Sequence, residues 1–444
     1  MTTYELDDLG TTRILLPGDD DYTRASTVFA RAGTPAIVVQ PVDETEVAAA
    51  VDFARDNRFT LSVRGGGHSG GGYGTNDGGV VIDLSQLAGV EVLDGGLVRV
   101  GGGATWGSVA ARLRDNDLAI SSGDTASVGV GGLTLGGGVG WMVREHGLAL
   151  DQLVEARVVL ADGEIVTANE FDNADLFWAL RGGGGNFGIV TRFTFQAHHL
   201  DGVVAGAIHY EPGDLAALLR GWRDAMREAP VKLNTTFLWT PDFPGMQGGP
   251  QIMVCYADSD DEAATAAIAP LLDLGPVTGN TVTASAYAEI LAEVHPSEGV
   301  RMVNNNAFAA DFDDATIDDL AAVFARTPGS VLMVRYLRGA FSLVDPDATA
   351  FAHRDSEVLI ISAAFFAPDA PDEAVDAYQS TWNSLLPHLH GLYGNFSQFT
   401  SDVATPLMFP PTTLARLEAV KTELDPFNLF DQNHNIRPRA VDWR

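Results

Sequence analysis

The sequence predicts an α+β protein built from two unlike parts. In the first 200 residues, strand-like and helix-like runs alternate, and the junctions between them are rich in glycine. Around residues 200 to 212 the glycine density falls, and strand-like runs such as QIMVCYA, SVLMVRYL and EVLIISAAFF then alternate with helices. This second pattern is typical of a sheet backed by helices. A chain of 444 residues has room for two or three domains, and we expect a boundary near residue 200.

A capped helix opens the regular structure of the first part. Asp43 can accept the first free amides of DETEVAAAVDFARDN, and Glu46 follows three residues later, as in a capping box. The strand TLSVR comes next, followed by a glycine loop and the strands VVIDL and LVRVGGG. A second helix is predicted in TWGSVAARLRDND, where Thr105 or Ser108 can act as the cap.

Two further glycine tracts follow. Residues 123 to 140 read GDTASVGVGGLTLGGGVG, and the later turn at residues 161 to 163 joins two β-rich runs into a predicted hairpin. Residues 181 to 188 read RGGGGNFG and lie between the helix DLFWAL and the strand IVTRFTF. In the second part, helices are predicted in DLAALLRGWRDAMREA and DEAVDAYQSTWNSLL, and the tail from Gly391 contains the helix TTLARLEAVKTELDP.

Composition and charge exclude several classes of protein. The formal net charge of −32 argues against a nucleic-acid partner, because phosphate binding needs a basic surface. No apolar run approaches the roughly 20 residues of a membrane helix. The acidic beginning MTTYELDDLG lacks the basic region of a signal peptide, so we expect a cytoplasmic protein. Cys255, the one cysteine, cannot form an internal disulfide and is expected to be a small buried side chain.

The first glycine tract, SVRGGGHSGGGYGTNDGGVVIDL, matches two known signatures. Gly65, Gly67 and Gly70 satisfy GxGxxG, and residues 67 to 71 satisfy the GxSxG of serine hydrolases, with Ser69 as nucleophile. Both signatures require a helix directly after the loop. Here glycines follow, each costing about 1 kcal/mol relative to alanine inside a helix, and then a strand. Ser69 is therefore expected to be a loop hydroxyl, and a serine hydrolase is a remote alternative.

The three glycine tracts favour a large phosphate-bearing cofactor. Glycines lack Cβ atoms, so their amides can approach a ligand closely and form anion-binding nests. His68 lies inside the first tract, where its imidazole can be held against such a cofactor. We expect no metal site, since neither HExxH nor CxxC occurs, and the histidine pairs at residues 198–199 and 388–390 lack ligand-like spacing.

Several ordered motifs carry a resemblance to a known family. They are RGGGHS, DGGVVIDLSQL, GGGATW, SVGVGGLTLGGGVG, REHGLALDQL, ADGEIV and DLFWALRGGGGNFGIVTRF. Together they resemble the PCMH-type FAD-binding domain of the vanillyl-alcohol-oxidase superfamily. The tail RLEAVKTELDPFNLFDQNHNI resembles the C-terminal segment of berberine-bridge-like enzymes, and the arrangement is similar to the sugar and alkaloid oxidases around 6-hydroxynicotine oxidase.

The resemblance implies a domain plan. Residues 1–33 form a lead-in, and residues 34–200 form the PCMH-type FAD-binding domain with two α/β subdomains. Residues 201–390 form a substrate-binding domain with an antiparallel sheet backed by helices. Residues 391–444 return to the FAD domain as the berberine-bridge-like segment.

The resemblance also implies the cofactor site. It assigns a covalent bond from His68 to the 8α-methyl carbon of FAD and places the pyrophosphate on the amides of residues 64 to 69. A cysteine makes a second flavin bond in bicovalent relatives, but Thr125 stands there, so one covalent bond is expected. Val128 stands where the family controls access of oxygen to the flavin. Valine at this position resembles oxidases and the bulkier leucine resembles dehydrogenases, so Val128 favours an oxidase. The expected cofactor residues are Arg64, Gly65, Gly66, Gly67, His68, Ser69, Gly123, Asp124, Ser127, Val128, Gly131, Gly138, Gly140, Ile189, Val190, Asn433 and Asn435.

The family's reaction transfers a hydride from a C–H next to an OH or NH group to the flavin, and O2 then accepts the electrons to give H2O2. The usual tyrosine base of a YxNY motif is absent, because Tyr393 and Asn395 are followed by Phe396. Alternation along residues 330 to 341 puts Tyr336 and Arg338 on one face, with Arg335 and Leu337 on the other. The catalytic candidates are Tyr336 as base or orienting group, Arg338 as anion contact, Asn395 as substrate contact, and Tyr393.

Three questions stay open at this point. Tyr336 can instead be an ordinary sheet residue. Two alternatives to an oxidase are an FAD-linked dehydrogenase with a non-oxygen acceptor and a flavin-binding protein without turnover. The substrate is a small molecule that can be a carbohydrate, an alkaloid amine, a phenolic alcohol or a polyketide alcohol, and the oligomeric state is not predicted.

Overall fold

The computed structural model describes residues 13–242, 248–293, 300–399 and 401–440. The first part begins with a four-stranded sheet in the order β1-β2-β4-β3, in which β2, β4 and β3 are parallel and β1 is antiparallel to β2. Its elements are β1 (Ile14–Leu15), α1 (Tyr22–Ser26), β2 (Ile37–Val39), α2 (Glu44–Asp56), β3 (Leu61–Arg64) and β4 (Val80–Asp83).

Helix α2 begins where the sequence predicts it. The Asp43 carboxylate accepts hydrogen bonds from the amides of Thr45 and Glu46, both at 2.9 Å, and Glu46 accepts one from the amide of Val42. The apolar side chains of α2 are buried against β2, β3 and β4 in one cluster. The cap and the helical spacing of apolar residues together fix this helix on the sheet.

A five-stranded antiparallel sheet completes the first part, in the order β5-β6-β10-β8-β9. Its elements are β5 (Val90–Val92), β6 (Leu97–Gly101), α3 (Trp106–Arg114), α4 (Val130–Gly136), α5 (Val143–His146), β8 (Leu153–Val159), β9 (Ile165–Ala168), α6 (Ala174–Leu180) and β10 (Ile189–Gln196), while β7 (Leu118–Ala119) pairs with β11 (His198–His199). Strands β8 and β9 form the hairpin predicted at residues 161 to 163, and Thr105 caps α3 as one of the two predicted options.

The second part is an eight-stranded antiparallel sheet. Its path runs β15-β12-β14-β13-β18-β19-β17, and β16 also pairs with β12. The strands are β12 (Val203–Tyr210), β13 (Leu233–Thr240), β14 (Gly249–Tyr256), β15 (Val277–Asn280), β16 (Thr283–Ser285), β17 (Arg301–Ala309), β18 (Val331–Tyr336) and β19 (Val358–Phe366). The helices between them are α7 (Leu215–Glu228), α8 (Asp261–Leu272), α9 (Asp314–Arg326), α10 (Ala340–Leu343) and α11 (Asp372–Asn383).

Both faces of this large sheet are covered. Helices α7, α8, α9 and α11 pack on one face, around Trp222, Phe237 and Val334. The opposite face packs on the first part of the chain, where Leu359 and Leu337 share a cluster with residues of α5 and of the second glycine tract. The sheet is therefore the middle layer between the helices and the glycine-rich domain.

The tail returns to the first part. Helices α12 (Ser401–Met408) and α13 (Pro411–Leu424) follow the sheet, and α13 packs in the core beside α6. The fully buried Lys421 donates to Asp425 at 2.6 Å and to the carbonyl oxygens of Asn186 (2.8 Å) and Phe430 (3.0 Å). The hydrogen bond from Lys421 to Asn186 joins the tail to the third glycine tract. None of the described helices is long and apolar enough to cross a bilayer.

Candidate active site

The three glycine tracts and the tail enclose one cavity of about 430 Å³. Residues 65–70, 123–136 and 182–190 form the wall on the first part, while β17 and residues 393–398 and 432–434 close the opposite side. Segments that are far apart in the sequence therefore converge on a single site beneath the large sheet.

The first tract connects two strands without a helix. Between Arg64 at the end of β3 and Val80 at the start of β4, all of which the structure describes, the chain forms turns, bends and one isolated bridge, with no helix. The nucleophile elbow and the dinucleotide-binding loop are thus excluded for this stretch, because each requires a helix after the loop. Ser69 is a loop residue.

The amides of the first tract are available to a ligand. Among the described residues, no backbone N–H of residues 65 to 71 donates to a protein acceptor. Gly67 has a φ of 72°, which favours glycine and lets successive amides turn toward one side. Such a row of free amides forms a nest for an anion such as a pyrophosphate.

Glycine is required where the first two tracts meet. A Cβ on Gly66 would overlap the backbone of Gly129, and a Cβ on Gly129 would overlap the backbone of Gly66. Gly132 and Gly185 differ, since both line the cavity and a Cβ at either position would lie in open space, at least 4 Å from any other described segment of the chain. These glycines leave the space that a large, flat ligand would fill.

His68 lies in the cavity wall as a neutral imidazole. Its ring stacks on Phe29, with the ring centroids 5.2 Å apart and the planes inclined by 23°. Burial lowers the pKa of His68, and the negative charge of Glu293 offsets this only in part. Within the described chain, no hydrogen bond engages its ring nitrogens. A neutral, unengaged imidazole can act as a nucleophile toward a cofactor in this cavity.

Three buried acceptors that have no hydrogen-bond partner among the described residues line the same cavity. They are Asn304 Oδ1, Asn433 Oδ1 and His434 Nδ1. His434 donates its Nε2–H to Gly394 O at 3.0 Å, and burial lowers its pKa, so Nδ1 is an acceptor. Each unsatisfied buried group costs roughly 1–3 kcal/mol, so a bound molecule with several donors would stabilise the site. The anion nest, these acceptors and the glycine-lined space fit FAD.

The structure brings most of the sequence-predicted cofactor residues to the cavity. Those that line it are Gly65, Gly66, Gly67, His68, Ser69, Gly123, Asp124, Val128, Gly131, Ile189, Val190 and Asn433, together with Thr125. Their assigned roles remain predictions from the resemblance.

Five other predicted cofactor residues lie outside the cavity lining. The Arg64 guanidinium is turned away and donates to the carbonyl oxygens of Arg24 and Ala25. Gly138 and Gly140 are packing positions, because a Cβ there would overlap Ala149 and Ser122, respectively. Ser127 and Asn435 lie next to the lining, each with a buried side-chain oxygen that has no partner within the described ranges.

Tyr393 and Asn395 do line the cavity, and they form one hydrogen-bonded unit. The Tyr393 hydroxyl oxygen accepts from the amide of Gly138 at 2.9 Å and from Asn395 Nδ2 at 3.0 Å. Asn395 Nδ2 also donates to Leu133 O at 3.0 Å, and burial raises the pKa of Tyr393. This unit fixes the tail on the second glycine tract.

Tyr336 and Arg338 do not reach this cavity, which corrects the expectation that they face the flavin. Tyr336 points toward the helices, where it donates to Glu357 at 3.2 Å and meets Trp222 edge-to-face. Arg338 donates to Ala310 O at 2.6 Å. The alternation was predicted correctly but the faces were reversed, because both faces of the sheet are buried and alternation alone does not show which face meets the flavin domain.

The residue of β18 that does turn toward the glycine-rich domain is Arg335. Its side chain forms an ion pair with Asp124 and lies over the ring of Phe396 at 5.8 Å. Sequence reasoning placed Arg335 on the opposite face from Tyr336 and assigned it no role. Phe29 was also missed, since nothing in its sequence context indicates a stacking partner for His68.

Comparison with known proteins supports FAD as the cofactor. Residues 35–169 match the family described as an FAD binding domain. The chain is 29% identical to (R)-6-hydroxynicotine oxidase of Paenarthrobacter nicotinovorans, an alignment that covers 96% of this chain and 97% of that enzyme. This protein is an FAD-linked oxidoreductase.

Two solved structures extend the comparison. Glucooligosaccharide oxidase from Acremonium strictum, described with a 6-S-cysteinyl, 8α-N1-histidyl FAD, has a TM-score of 0.83 and 26% identity, and the match covers 97% of this chain and 98% of that one. A berberine-bridge-like protein of Physcomitrella patens shares the fold with a TM-score of 0.87 at 23% identity, covering 99% of this chain and 100% of that one. The family resemblance and the α+β fold class inferred from the sequence are confirmed.

Proposed function

We propose that this FAD-linked oxidoreductase is an oxidase that holds FAD through one covalent bond to His68. It removes a hydride from a C–H next to an OH or NH group of a small organic substrate, and O2 takes the electrons to give H2O2. The observation that carries the proposal is the neutral, half-buried imidazole of His68 within a cavity of free amides. Bound FAD supplies the hydride acceptor and, after reduction, the electron donor to O2.

The tether is supported by the surroundings of His68. The Phe29 ring stacks on the imidazole and so restricts its movement at the cavity wall. In glucooligosaccharide oxidase, FAD is bound through a histidine and a cysteine. In this chain Thr125 lines the cavity instead of a cysteine, and Cys255 is buried in another cluster beside Trp141. One covalent bond is therefore proposed.

The choice of oxidase over dehydrogenase rests on Val128 and on the relatives. Val128 lines the cavity with a short side chain, which leaves more room for O2 than leucine would. The compared enzymes of nicotine and sugar metabolism are named oxidases. A dehydrogenase with a non-oxygen acceptor is the second candidate, because O2 reactivity also depends on the charge and shape around the cofactor.

A paired screen tests the proposal. Purified protein is mixed anaerobically with (R)-6-hydroxynicotine, an oligosaccharide, a phenolic alcohol or a polyketide alcohol, and flavin bleaching is recorded. The same compounds are then assayed in air with a peroxide-coupled dye. If the protein is an oxidase, at least one compound bleaches the flavin anaerobically, and the same compound yields one H2O2 per molecule of product in air. Bleaching without peroxide would show a dehydrogenase. If none of the four compound classes bleaches the flavin, both the oxidase and the dehydrogenase are contradicted.

A further inference from the structure

We propose that Asp124, held in place by Arg335, is the catalytic group that accepts the proton from the OH or NH of the substrate. This inference rests on the proposed oxidation at a C–H next to such a group. It addresses a gap in the site: Phe396 occupies the position of the usual tyrosine base, and Tyr336 faces the helices.

Asp124 is placed to meet a ligand. It stands at the start of the second glycine tract, lines the cavity, and keeps 28% of its side chain exposed. Its carbonyl oxygen accepts the amide of Ala292 at 2.7 Å, which ties the backbone to the second part of the chain. Thr125 Oγ1 donates to Asp124 Oδ1 at 3.2 Å. Each carboxylate oxygen can accept a further hydrogen bond, so the group has capacity for a substrate.

Arg335 fixes the carboxylate from beneath. Its side chain is only 7% exposed and donates through Nη2 to Asp124 Oδ2. The guanidinium lies over Phe396, and its buried Nε has no partner in the part of the chain that the structure describes. A buried arginine needs a counter-ion, because an isolated charge in the protein interior is strongly unfavourable. Arg335 is thus a positioning residue that keeps Asp124 at the cavity wall.

The other candidate bases in the cavity are less suited to accept the proton. Asp124 is the only carboxylate among the described residues that line it. The Tyr393 oxygen already accepts from the amides of Gly138, Val139 and Asn395. His434 Nδ1 is unengaged within the described chain, but burial lowers the pKa of this imidazole and so makes it a weaker base, and His68 is proposed as the tether. The proton of the substrate therefore has one carboxylate to go to within the described lining.

The proton step balances with the oxidation. The C–H bond of the substrate breaks and its hydrogen leaves as a hydride, with both electrons of the bond. The O–H or N–H bond also breaks, and its electron pair forms the new C=O or C=N bond. The proton moves to a carboxylate oxygen of Asp124, which later releases it to water. General bases of this kind contribute roughly 10²- to 10⁴-fold to the rate.

Three variants of the flavin-loaded enzyme distinguish the effect of the local charge from the role of Asp124 as proton acceptor. Asp124→Asn removes the acceptor and leaves Arg335 uncompensated, Arg335→Met leaves Asp124 uncompensated, and the double variant is neutral. The first probe is sulfite, an anion that adds to flavins and is followed by absorbance without any substrate. We expect sulfite to bind roughly tenfold more tightly to the first variant, roughly tenfold more weakly to the second, and about as in wild type to the double variant, since like charges repel and opposite charges attract.

The second probe is anaerobic flavin reduction by the compound that bleaches the wild type fastest in the screen. Asp124→Asn and the double variant are both expected to be at least about 100-fold slower, although only the first changes the local charge. The control Asp21→Asn removes an exposed partner of Arg24 at the start of α1 and should match wild type in both assays.

Two results would overturn the inference. Sulfite affinity that is unchanged in both single variants would place the pair away from the reactive part of the flavin. Flavin reduction by the double variant at the wild-type rate would show that Asp124 accepts no proton; this variant leaves no buried charge unpaired and so is expected to fold if a single variant does not. Because sulfite needs no substrate, the charge test stands even if the oxidase proposal fails.

Discussion

Substitution of Gly132 by leucine should separate loss of the cofactor from loss of the fold. Gly132 is the third residue of α4, and a Cβ at this position would lie at least 4 Å from the described residues outside its own helix. The side chain would therefore extend into the cavity of about 430 Å³ rather than into the protein core. Leucine would place four carbon atoms in the space that we assign to FAD.

The two expected effects have opposite signs. A glycine inside a helix is less favourable than alanine by about 0.5–1 kcal/mol, and leucine is close to alanine in helix propensity. The cofactor-free protein should thus become more stable by about that amount. Overfilling a packed site costs roughly 1–3 kcal/mol, which corresponds to roughly 5- to 150-fold weaker FAD binding.

Both quantities can be measured in the His68→Ala background, where FAD binding should be reversible. FAD affinity follows from quenching of flavin fluorescence, and stability follows from urea denaturation of the cofactor-free protein. Gly89→Leu is the matched control, since Gly89 also has open space around its Cβ but does not line the cavity. Unchanged FAD affinity in Gly132→Leu, or a loss of cofactor-free stability, would refute the reasoning.

Three further predictions concern the tail, the thiol and the tether. Lys421→Met should lower the free energy of unfolding by about 3–5 kcal/mol in urea denaturation, because the buried Asp425 loses its cation; a loss below about 1 kcal/mol, as for an exposed pair, would contradict this. Burial raises the pKa of Cys255, so a thiol reagent at pH 8 should label it only after unfolding, and rapid labelling of the native protein would be inconsistent with the packing. Thr125→Cys combined with His68→Ala should restore an acid-stable flavin bond, and a pellet without flavin would argue against Thr125 lying beside the flavin ring.

Local structure could be predicted from the sequence because local interactions determine it. The Asp43 carboxylate caps α2 through amides two and three residues away, so a short stretch of sequence contains the whole signal. The absence of a helix after His68 follows equally from the run of glycines. Because a nucleophile elbow requires a helix at this point, the glycine run is enough to exclude one at Ser69.

The orientation of the large sheet could not be predicted in the same way. Alternation along β18 separates Arg335 from Tyr336, but each side chain is buried in its own layer and each has a polar partner. The sequence of β18 therefore does not show whether the face with Arg335 or the face with Tyr336 meets the flavin domain. The choice depends on contacts outside the strand, with Asp124 at 211 residues from Arg335 and with Glu357 at 21 residues from Tyr336.

The link between the tail and the third glycine tract could not be predicted from the sequence either. Lys421 and Asp425 are four residues apart on a helix end, a spacing that is typical of exposed ion pairs. In the structure both are buried, and Lys421 reaches the carbonyl oxygen of Asn186 beside the cavity. Asn186 in turn accepts the amide of Ile436, so the tail is held by groups that show no pattern in the sequence.

The central claim is that His68 holds FAD covalently, and acid precipitation tests it most directly. Wild-type protein and His68→Ala are precipitated with acid, and flavin absorbance is measured in the redissolved pellet and in the supernatant. The account predicts flavin in the wild-type pellet and only in the supernatant of His68→Ala. Flavin released from the wild type, or retained in the pellet of His68→Ala, would contradict it.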